Sequence, residues 1–518
     1  MKVKRSFAIF ILFLIVAWTF QSCKFGGTKL PRRSGESSKT GWYYNDPKWG
    51  GFEVIDFTEQ PTGPGLVFIE GGTFVMGNSE QDISYSWDAI KRRVTISSYY
   101  MDETEISNLD YREYLHWLAR VYVDYPMVLI KAKPDTLVWR RPLAYNEPFV
   151  KYYFRFPAFN DYPVVGVSWV QANDYSAWRT DRVNEKLLID AGVLEYDDQQ
   201  SGPNNFNTEA YLAGQYEGQT KGALKDLEGN ERRARLEDGI LLPRYRLPSE
   251  SEWEFAAYAL IGNTQDERIA TSRIYPWNGH FVRNPDRAYR GLFMANLKRG
   301  RGDYMGVAGY LNDGYAPTAP VDAFWPNDYG LYNMAGNVNE WVLDVYRPSS
   351  YVDFDDFNPF RGNIFKTMVR NKDGSFVEKD SLGRMRYRMM GEDPSKYGSD
   401  MTEQDVKHEL HRYNYYKADN RNYLDGDLAS TLGPSWLPDQ VDNYKGTLSM
   451  YNYKGTDENY TGATSLISDE ARVYKGGSWR DLPYWLVPGT RRFMDQNRST
   501  DDIGFRCAMI HVGKPSVY

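Results

Sequence analysis

The body of the chain shows short apolar runs separated by glycine-rich turns. The runs at 66–68 and 94–101 predict strands, and the stretch at 71–77 predicts a turn followed by a strand. Most of the remaining chain mixes Gly, aromatic and polar residues without a long periodic segment. This pattern predicts an α+β domain with little regular secondary structure and much ordered loop.

Three segments have apolar residues at helical spacing, and each follows a serine that can cap a helix. The predicted caps are Ser107, Ser168 and Ser249, and Glu252 stands at capping-box spacing from Ser249. The residues predicted to face inward are Leu109, Tyr114, Leu115, Leu118, Ala172, Tyr175, Trp178, Trp253, Ala256 and Ala257.

The N-terminal pattern determines the predicted compartment. A basic start is followed by an apolar run from Phe7 to Phe20, which is short for a transmembrane helix and typical of a signal-peptide core. Ser22 and Cys23 then resemble a bacterial lipobox, which implies cleavage before Cys23 and lipidation of that residue. Lys24 is not the aspartate that retains lipoproteins in the inner membrane of some bacteria. The expectation is an outer-membrane lipoprotein facing the periplasm; the alternative is a simple secretory signal with an incidental cysteine.

Composition narrows the classes of function. The chain has 518 residues, with 62 basic and 69 acidic side chains and a net charge of −7, which argues against a general nucleic-acid binder. The mean hydropathy of −0.62 excludes a polytopic membrane protein. Two cysteines exclude a disulfide framework and Cys-rich metal sites.

Seven short motifs occur in the order found in the formylglycine-generating enzyme/sulfatase-modifying-factor family, which the chain therefore resembles. They are Gly71–Gly77, Tyr162–Trp169, Tyr245–Glu254, Ala319–Asp322, Gly330–Trp341, Lys475–Trp479 and the closing Gly504–Ala508. The resemblance implies the formylglycine-generating enzyme-like (C-type-lectin-like) α+β fold with two insertions. The expected organisation is a lipoprotein signal peptide at 1–22, a lipidated tether at 23–40, an aromatic N-terminal segment at 41–65 and a domain at 66–512 with insertions at about 195–243 and 347–470.

The same resemblance implies bound calcium, which prefers six to eight oxygen ligands from carboxylates and carbonyls. One ligand set would be Asn333, Gly336, Val338 and Glu340, and a second would be Asn296, Leu297, Asp313 and Tyr315. The alternative is that Glu340 and Asp313 only hydrogen-bond the local backbone.

Catalysis is not expected. The oxidases of the family hold copper with two cysteines a few residues after the Gly-Gly-Ser motif, and residues 479–489 here contain none. Cys507 lies in the closing motif and is predicted to be a buried structural residue. His408 and His411 lack the spacing of a zinc protease and are predicted to be solvated. The resemblance therefore implies a scaffold without copper or oxidase activity.

A narrower resemblance, to the PorK/GldK family of lipoproteins, covers essentially the whole chain. Its most specific part is the stretch at 45–52, and the aromatic block at 42–52 favours this family over its sibling, GldJ. The resemblance implies a non-enzymatic ring subunit of the type IX secretion and gliding-motility machinery of Bacteroidetes. Expected partners are further copies of the chain, a PorN/GldN-type periplasmic subunit, the outer membrane through the lipid, and peptidoglycan. The alternatives are a lipid-anchored sulfatase-modifying oxidase and a peptidoglycan- or carbohydrate-binding module.

Overall fold

The computed structural model describes most of the chain beyond its N-terminal region. The described residues are 35–78, 82–83, 85–262, 273–277, 279–300, 313–347, 360–362, 366–389, 392–408 and 470–513. The predicted signal peptide, Cys23, His411 and much of the predicted insertion at 347–470 therefore lie outside the described residues.

The described residues form the α+β architecture that the sequence predicts, with short strands and extensive ordered loops. The strands are β1 Leu66–Ile69, β2 Gly72–Met76, β3 Arg92–Ile96, β4 Tyr99–Asp102, β5 Tyr245–Arg246, β6 Asn339–Val345, β7 Lys366–Met368, β8 Tyr387–Met389, β9 Ala471–Lys475, β10 Arg492–Asp495, β11 Ile503–Gly504 and β12 Ala508–Ile510. The α-helices are α1 Asn108–Val121, α2 Pro126–Ala132, α3 Glu147–Tyr152, α4 Trp169–Asp190, α5 Thr208–Leu212, α6 Glu250–Tyr258 and α7 Glu403–Val406. Single 3-10 turns lie at Pro47–Trp49, Thr136–Trp139, Pro157–Phe159, Gly202–Asn204, Leu236–Asp238, Pro394–Tyr397 and Pro483–Leu486.

The first sheet has the antiparallel strand order β1-β4-β12-β5. Strand β12 therefore lies inside the sheet, with Ala508 opposite Met101 on one side and Met509 opposite Tyr245 on the other. Both neighbours are far away in sequence, so this sheet depends on long-range pairing.

The second sheet has the order β10-β9-β6-β11, in which only β6 and β11 run parallel. The loop that follows β9 and the loop that precedes β6 are joined by backbone hydrogen bonds. Gly336 N–H donates to the Gly476 carbonyl at 3.0 Å, and Trp479 N–H donates to the Asn337 carbonyl at 2.8 Å. The sheet thus places the Gly-Gly-Ser motif beside the Gly330–Trp341 motif.

The three serine caps are confirmed. Ser107, Ser168 and Ser249 each accept a hydrogen bond from the backbone N–H three residues later, and each completes a capping box. The box partners are Asp110, Gln171 and the predicted Glu252, respectively. Each cap satisfies backbone donors that a helix start leaves without intrahelical partners.

The single strand predicted at 94–101 is wrong, because this stretch forms two strands in different sheets. Strand β3 pairs with β2, whereas β4 pairs with β1 and β12. Ser98 lies at the break, where its Oγ accepts the Gly71 N–H at 3.0 Å. A Cβ atom at Gly71 would lie 2.4 Å from the Ile96 carbonyl oxygen. Only glycine therefore permits this close approach of the two backbone segments.

The inward position predicted for Leu109 is also wrong, since this side chain is 48% exposed. Helix α1 buries a different stripe, which consists of Asn108, Tyr111, Tyr114, Leu118 and Val121. The buried Tyr111 ring stacks on Tyr175 of α4 at 5.6 Å between centroids and 12° between planes. Aromatic packing between the two helices therefore sets the rotation of α1.

Two hydrophobic clusters flank the sheets. One combines α1, α4, β12 and the Trp341 side chain, and the other contains Phe74, Trp253 and Val473. Every residue of α6 is buried, including its three glutamates. A helix buried on all sides requires internal partners for its charges.

Residues 35–57 and 222–233 belong to a separate compact unit. In its aromatic block, Trp42 and Trp49 contact edge to face at 5.7 Å, and Tyr44 contacts Phe52 at 5.6 Å. Trp42 remains 57% exposed. The second piece is a hairpin-like turn closed by hydrogen bonds between Asp226 and Asn230. This unit therefore presents aromatic surface to solvent.

No described helix is both long and apolar enough to span a membrane.

Candidate functional site

The loop after β9 contains the Gly-Gly-Ser motif, and the resemblance described above implies a cysteine pair after this motif in the oxidases of the family. Gly476 and Gly477 both have left-handed backbone angles, with φ of 99° and 72°. A Cβ at Gly477 would lie within 3.0 Å of Trp485 and Leu486, so the two glycines allow the chain to turn tightly against the segment that follows. The turn delivers Ser478 into a fully buried position.

A hydrogen-bonded cluster of a serine, an aspartate and an arginine lies at this loop. Ser478 Oγ donates to Asp481 Oδ2 at 2.7 Å, and the Arg492 guanidinium donates to both Asp481 oxygens at 3.0 and 2.7 Å. Burial disfavours the charge of Asp481, but Arg492 and the Ser478 hydroxyl outweigh this effect and lower its pKa below the usual value. Asp481 is therefore an ionised structural carboxylate. Sequence analysis missed this pair, whose arginine lies on β10.

The predicted structural thiol is placed as expected. Cys507 is fully buried, and its Sγ lies 3.3 Å from the Ser176 hydroxyl in the core. Burial and the nearby Asp102 carboxylate raise the pKa of Cys507 to about 12. Because the thiolate is the reactive and metal-binding form, this residue is chemically inert near neutral pH.

The first predicted calcium set lies on the turn that enters β6. Asn333 has a left-handed φ of 52°, and its Nδ2 donates to Glu105 at 3.0 Å and to the Val321 carbonyl at 2.9 Å. Its Oδ1 is buried and has no hydrogen-bond partner among the described residues. A buried amide oxygen in this state fits a cation ligand.

Glu340 of the same set has other partners. Its carboxylate accepts two hydrogen bonds from Arg506, each at 2.6 Å, and one from Trp253 Nε1 at 2.7 Å. Glu340 and Arg506 are both fully buried. The charge of Glu340 is therefore already balanced, and Gly336 and Val338 would contribute only neutral oxygens.

The residues of the second predicted calcium set lie close together. Asp313 Oδ2 accepts the Leu297 N–H at 3.3 Å, and Asp313 Oδ1 accepts the Tyr315 N–H at 3.2 Å. The Asn296 carbonyl accepts the Asn337 N–H at 2.9 Å, so the two sets are neighbours. In the parts of the chain that the structure describes, no cluster of three His, Cys, Asp or Glu side chains could hold a metal. Any calcium here depends on amide and backbone oxygens as well as on Asp313.

A buried ionic cluster that includes two glutamates of α6 was not predicted from the sequence. Lys475 Nζ, which is fully buried, contacts Glu250 at 3.3 Å and Glu254 at 2.9 Å, and Arg491 contacts Glu250 at 2.6 Å. Despite burial, Arg491 and Lys475 lower the pKa of Glu250 to about 2. The available signal was the crowding of three glutamates into one short helix, because a buried helix with such charges needs cationic partners.

His408, predicted to be solvated, is exposed, and its Nδ1 lies 3.0 Å from the Asp405 carbonyl oxygen of the same turn.

Comparisons with known proteins agree with this fold. A family model described as "Sulfatase-modifying factor enzyme 1-like domain" matches residues 51–398. The formylglycine-generating enzyme of Mus musculus is 26% identical over 336 residues, which cover 60% of this chain and 66% of that protein. The inactive C-alpha-formylglycine-generating enzyme 2 of the same organism is 24% identical over 333 residues, or 60% of this chain and 77% of that protein.

A solved structure, PvdO from Pseudomonas aeruginosa, is 16% identical, with a TM-score of 0.38 and coverage of 86% of this chain and 94% of that one. The chain spans just under two thirds of the length of the mouse enzyme. The family model covers more than half of the chain. The chain therefore belongs to the family of sulfatase-modifying factor enzyme 1-like domain proteins, which includes formylglycine-generating enzymes and inactive relatives.

Proposed function

We propose that this protein is a non-catalytic outer-membrane lipoprotein that serves as a ring or scaffold subunit of the type IX secretion machinery, in the manner of PorK/GldK lipoproteins. The observation that carries the proposal is the loop after Ser478. There, Asp481 and Arg492 form a structural ion pair, and no cysteine is present between residues 479 and 489. A fold that keeps its scaffold while lacking the reactive thiols is suited to assembly rather than oxidation.

Two further sequence features support the anchored role. The lipobox-like Ser22–Cys23 supplies an attachment point for acyl chains, and two or more such chains hold a protein stably on a membrane. The aromatic block at 42–52, with its exposed Trp42, supplies the kind of contact surface that carries much of the energy of protein interfaces. Confinement to a membrane also raises the effective concentration of subunits, which favours a closed ring.

The absence of catalysis is tested directly. The purified protein, supplied with copper and a cysteine-containing peptide, is expected to consume no oxygen and to form no formylglycine, because it offers no reactive thiol pair. A formylglycine-generating enzyme assayed in parallel is the positive control. Turnover by this chain would overturn the proposal in favour of a lipid-anchored oxidase.

The assembly role is tested by co-purification. Solubilised wild-type protein is expected to form rings and to retain a PorN/GldN-type subunit. A Trp42→Ser variant is expected to weaken these contacts, and a Tyr196→Ser variant, which removes an aromatic side chain that is 61% exposed in the other unit, serves as the matched control. Saturable binding to purified peptidoglycan sacculi without any protein partner would instead favour a cell-wall-binding module.

We also propose calcium as a structural ion at the two neighbouring oxygen sets. Support comes from the Asn333 Oδ1 atom, which has no partner among the described residues, and from the Asp313 carboxylate beside Leu297. Metal analysis of the purified protein and a melting curve with and without a calcium chelator test this. Chelation is expected to lower the melting temperature of the wild type but not that of Asp313→Asn. Equal melting curves with and without chelator in the wild type would contradict the proposal.

A further inference from the structure

The segment from 126 to 156 combines positive charge with exposed apolar side chains. It carries six basic residues against two acidic ones, in a chain whose net charge is −7. At its tip, Leu143 is completely exposed and Tyr145 is 85% exposed. Further along, Phe156 is 53% exposed. A concentration of basic and apolar surface in an otherwise acidic protein indicates a specific contact.

The tip of this segment is held in a fixed shape. Asn146 Nδ2 donates to the Trp139 carbonyl at 2.9 Å, and Arg140 pairs with Glu147 at 2.8 Å, so the loop is closed at its base. Leu143 nevertheless has a left-handed φ of 62°, a conformation that is unfavourable for a branched side chain. The fold thus holds an exposed leucine outward in a strained backbone, which no contact in the core explains.

Helix α3 follows this tip directly in the chain. Trp139 stacks on Phe149 of α3 at 5.2 Å and contacts Tyr153, which follows the helix, at 4.8 Å. Its outer side carries Lys151, whose ammonium lies 5.1 Å from the centre of the Tyr152 ring. Tyr152 in turn contacts Phe156 edge to face at 6.0 Å. Basic and aromatic groups therefore alternate over a short stretch of exposed surface.

We infer that this surface, defined as Leu143, Tyr145, Lys151, Tyr152, Arg155 and Phe156 and called the basic–apolar patch, docks on an anionic lipid bilayer. Aromatic and aliphatic side chains enter the boundary between headgroups and acyl chains, while lysine and arginine remain at the level of the phosphates. The positive charge of the patch complements an anionic membrane surface, whereas the rest of the acidic chain is repelled by it. The contact fixes the orientation of the body on the membrane, which an acyl anchor at Cys23 alone does not.

This inference is independent of lipidation at Cys23, and one experiment separates the two. The full-length acylated protein is reconstituted into vesicles with and without phosphatidylglycerol. An environment-sensitive fluorophore is attached at Ala144→Cys, beside Leu143, or at the matched exposed position Ala288→Cys, which is not part of the patch. The native Cys507 is buried and does not compete for the label.

The label at 144 is expected to brighten and shift to the blue in anionic vesicles only, and a quencher carried on the lipids is expected to reduce its emission. The label at 288 is expected to remain in water in both vesicles. Adding Leu143→Asp and Lys151→Glu should abolish the change at 144. A label at 144 that stays as polar as the label at 288 overturns the inference, as does one that changes only when a second protein is present. Release of the whole protein from vesicles by high salt would instead mark failure of the acyl anchor.

Discussion

Arg506 shows how single buried charges hold this fold together. Its guanidinium bonds to both oxygens of Glu340 and also donates to the carbonyls of Asp102 and Tyr332 at 3.0 and 2.8 Å. One side chain thus joins the closing segment, the start of β6 and the end of β4. Removing one partner of such a buried ion pair is strongly destabilising, because it leaves the other charge buried and uncompensated.

Substitution Arg506→Met is therefore expected to lower the free energy of unfolding by about 3–5 kcal/mol, because Glu340 would stay buried without its counter-charge. Chemical denaturation measures the change. The control is Lys186→Met, which removes an exposed pair with Asp190 and should cost roughly 0–1 kcal/mol. Similar losses in the two variants would contradict the structural role of Arg506.

Asp344 makes stability depend on pH. Its oxygens accept the Glu250 N–H at 2.7 Å and the Arg361 N–H at 3.2 Å, and burial followed by the charge of Glu250 raises its pKa to about 7. The folded pKa lies above the unfolded value of about 3.9. The native state therefore binds the extra proton, and this contribution is complete below about pH 4 and is lost as the pH rises to about 7.

Unfolding curves between pH 4 and 8 test this linkage. Relative to the wild type, Asp344→Asn is expected to lose the part of the pH dependence that lies between about pH 4 and 7. Asp190→Asn, which removes an exposed carboxylate, is expected to leave the pH profile as it is. Parallel profiles for the wild type and Asp344→Asn would exclude this residue as the source.

At the scale of elements, the serine caps could be predicted from the sequence because each cap involves only neighbouring residues. Ser107, Ser168 and Ser249 bond residues three positions away, and short-range periodicity finds such contacts. The ionic partners of α6 could not be predicted from the sequence, since Lys475 lies 225 residues from Glu250. The same limit applies to the loop after Ser478: the missing cysteines are visible in the sequence, whereas the Asp481–Arg492 pair depends on how β9 and β10 align.

Substitution Ser249→Ala is expected to cost about 0.5–2 kcal/mol, because it removes the cap of a fully buried helix start. Thermal denaturation measures the loss. The matched control is Ser201→Ala, since Ser201 precedes a 3-10 turn without a side-chain cap bond. A loss no larger than that of the control would show that Glu252 and Arg246 hold this turn without the serine.

At the scale of the whole molecule, the number of reactive thiols indicates whether Cys23 is acylated. The chain has two cysteines, and Cys507 is buried with a pKa raised to about 12. The native acylated protein is expected to show no fast-reacting thiol, and the denatured protein is expected to show one. Two thiols after denaturation would mean that Cys23 is not acylated. The variant Cys507→Ser, which should show none in either state when Cys23 is acylated, is the control.

The interior position of β12 has a consequence for biogenesis. Both neighbouring strands, β4 and β5, expose unpaired backbone until residues 508–510 insert between them. For a polypeptide that crosses a membrane amino end first, this sheet completes only after nearly the entire domain has emerged. If the chain is translocated as proposed, translocation must finish before the domain can mature, and a holding chaperone that shields the open edges would protect the chain from aggregation in the meantime.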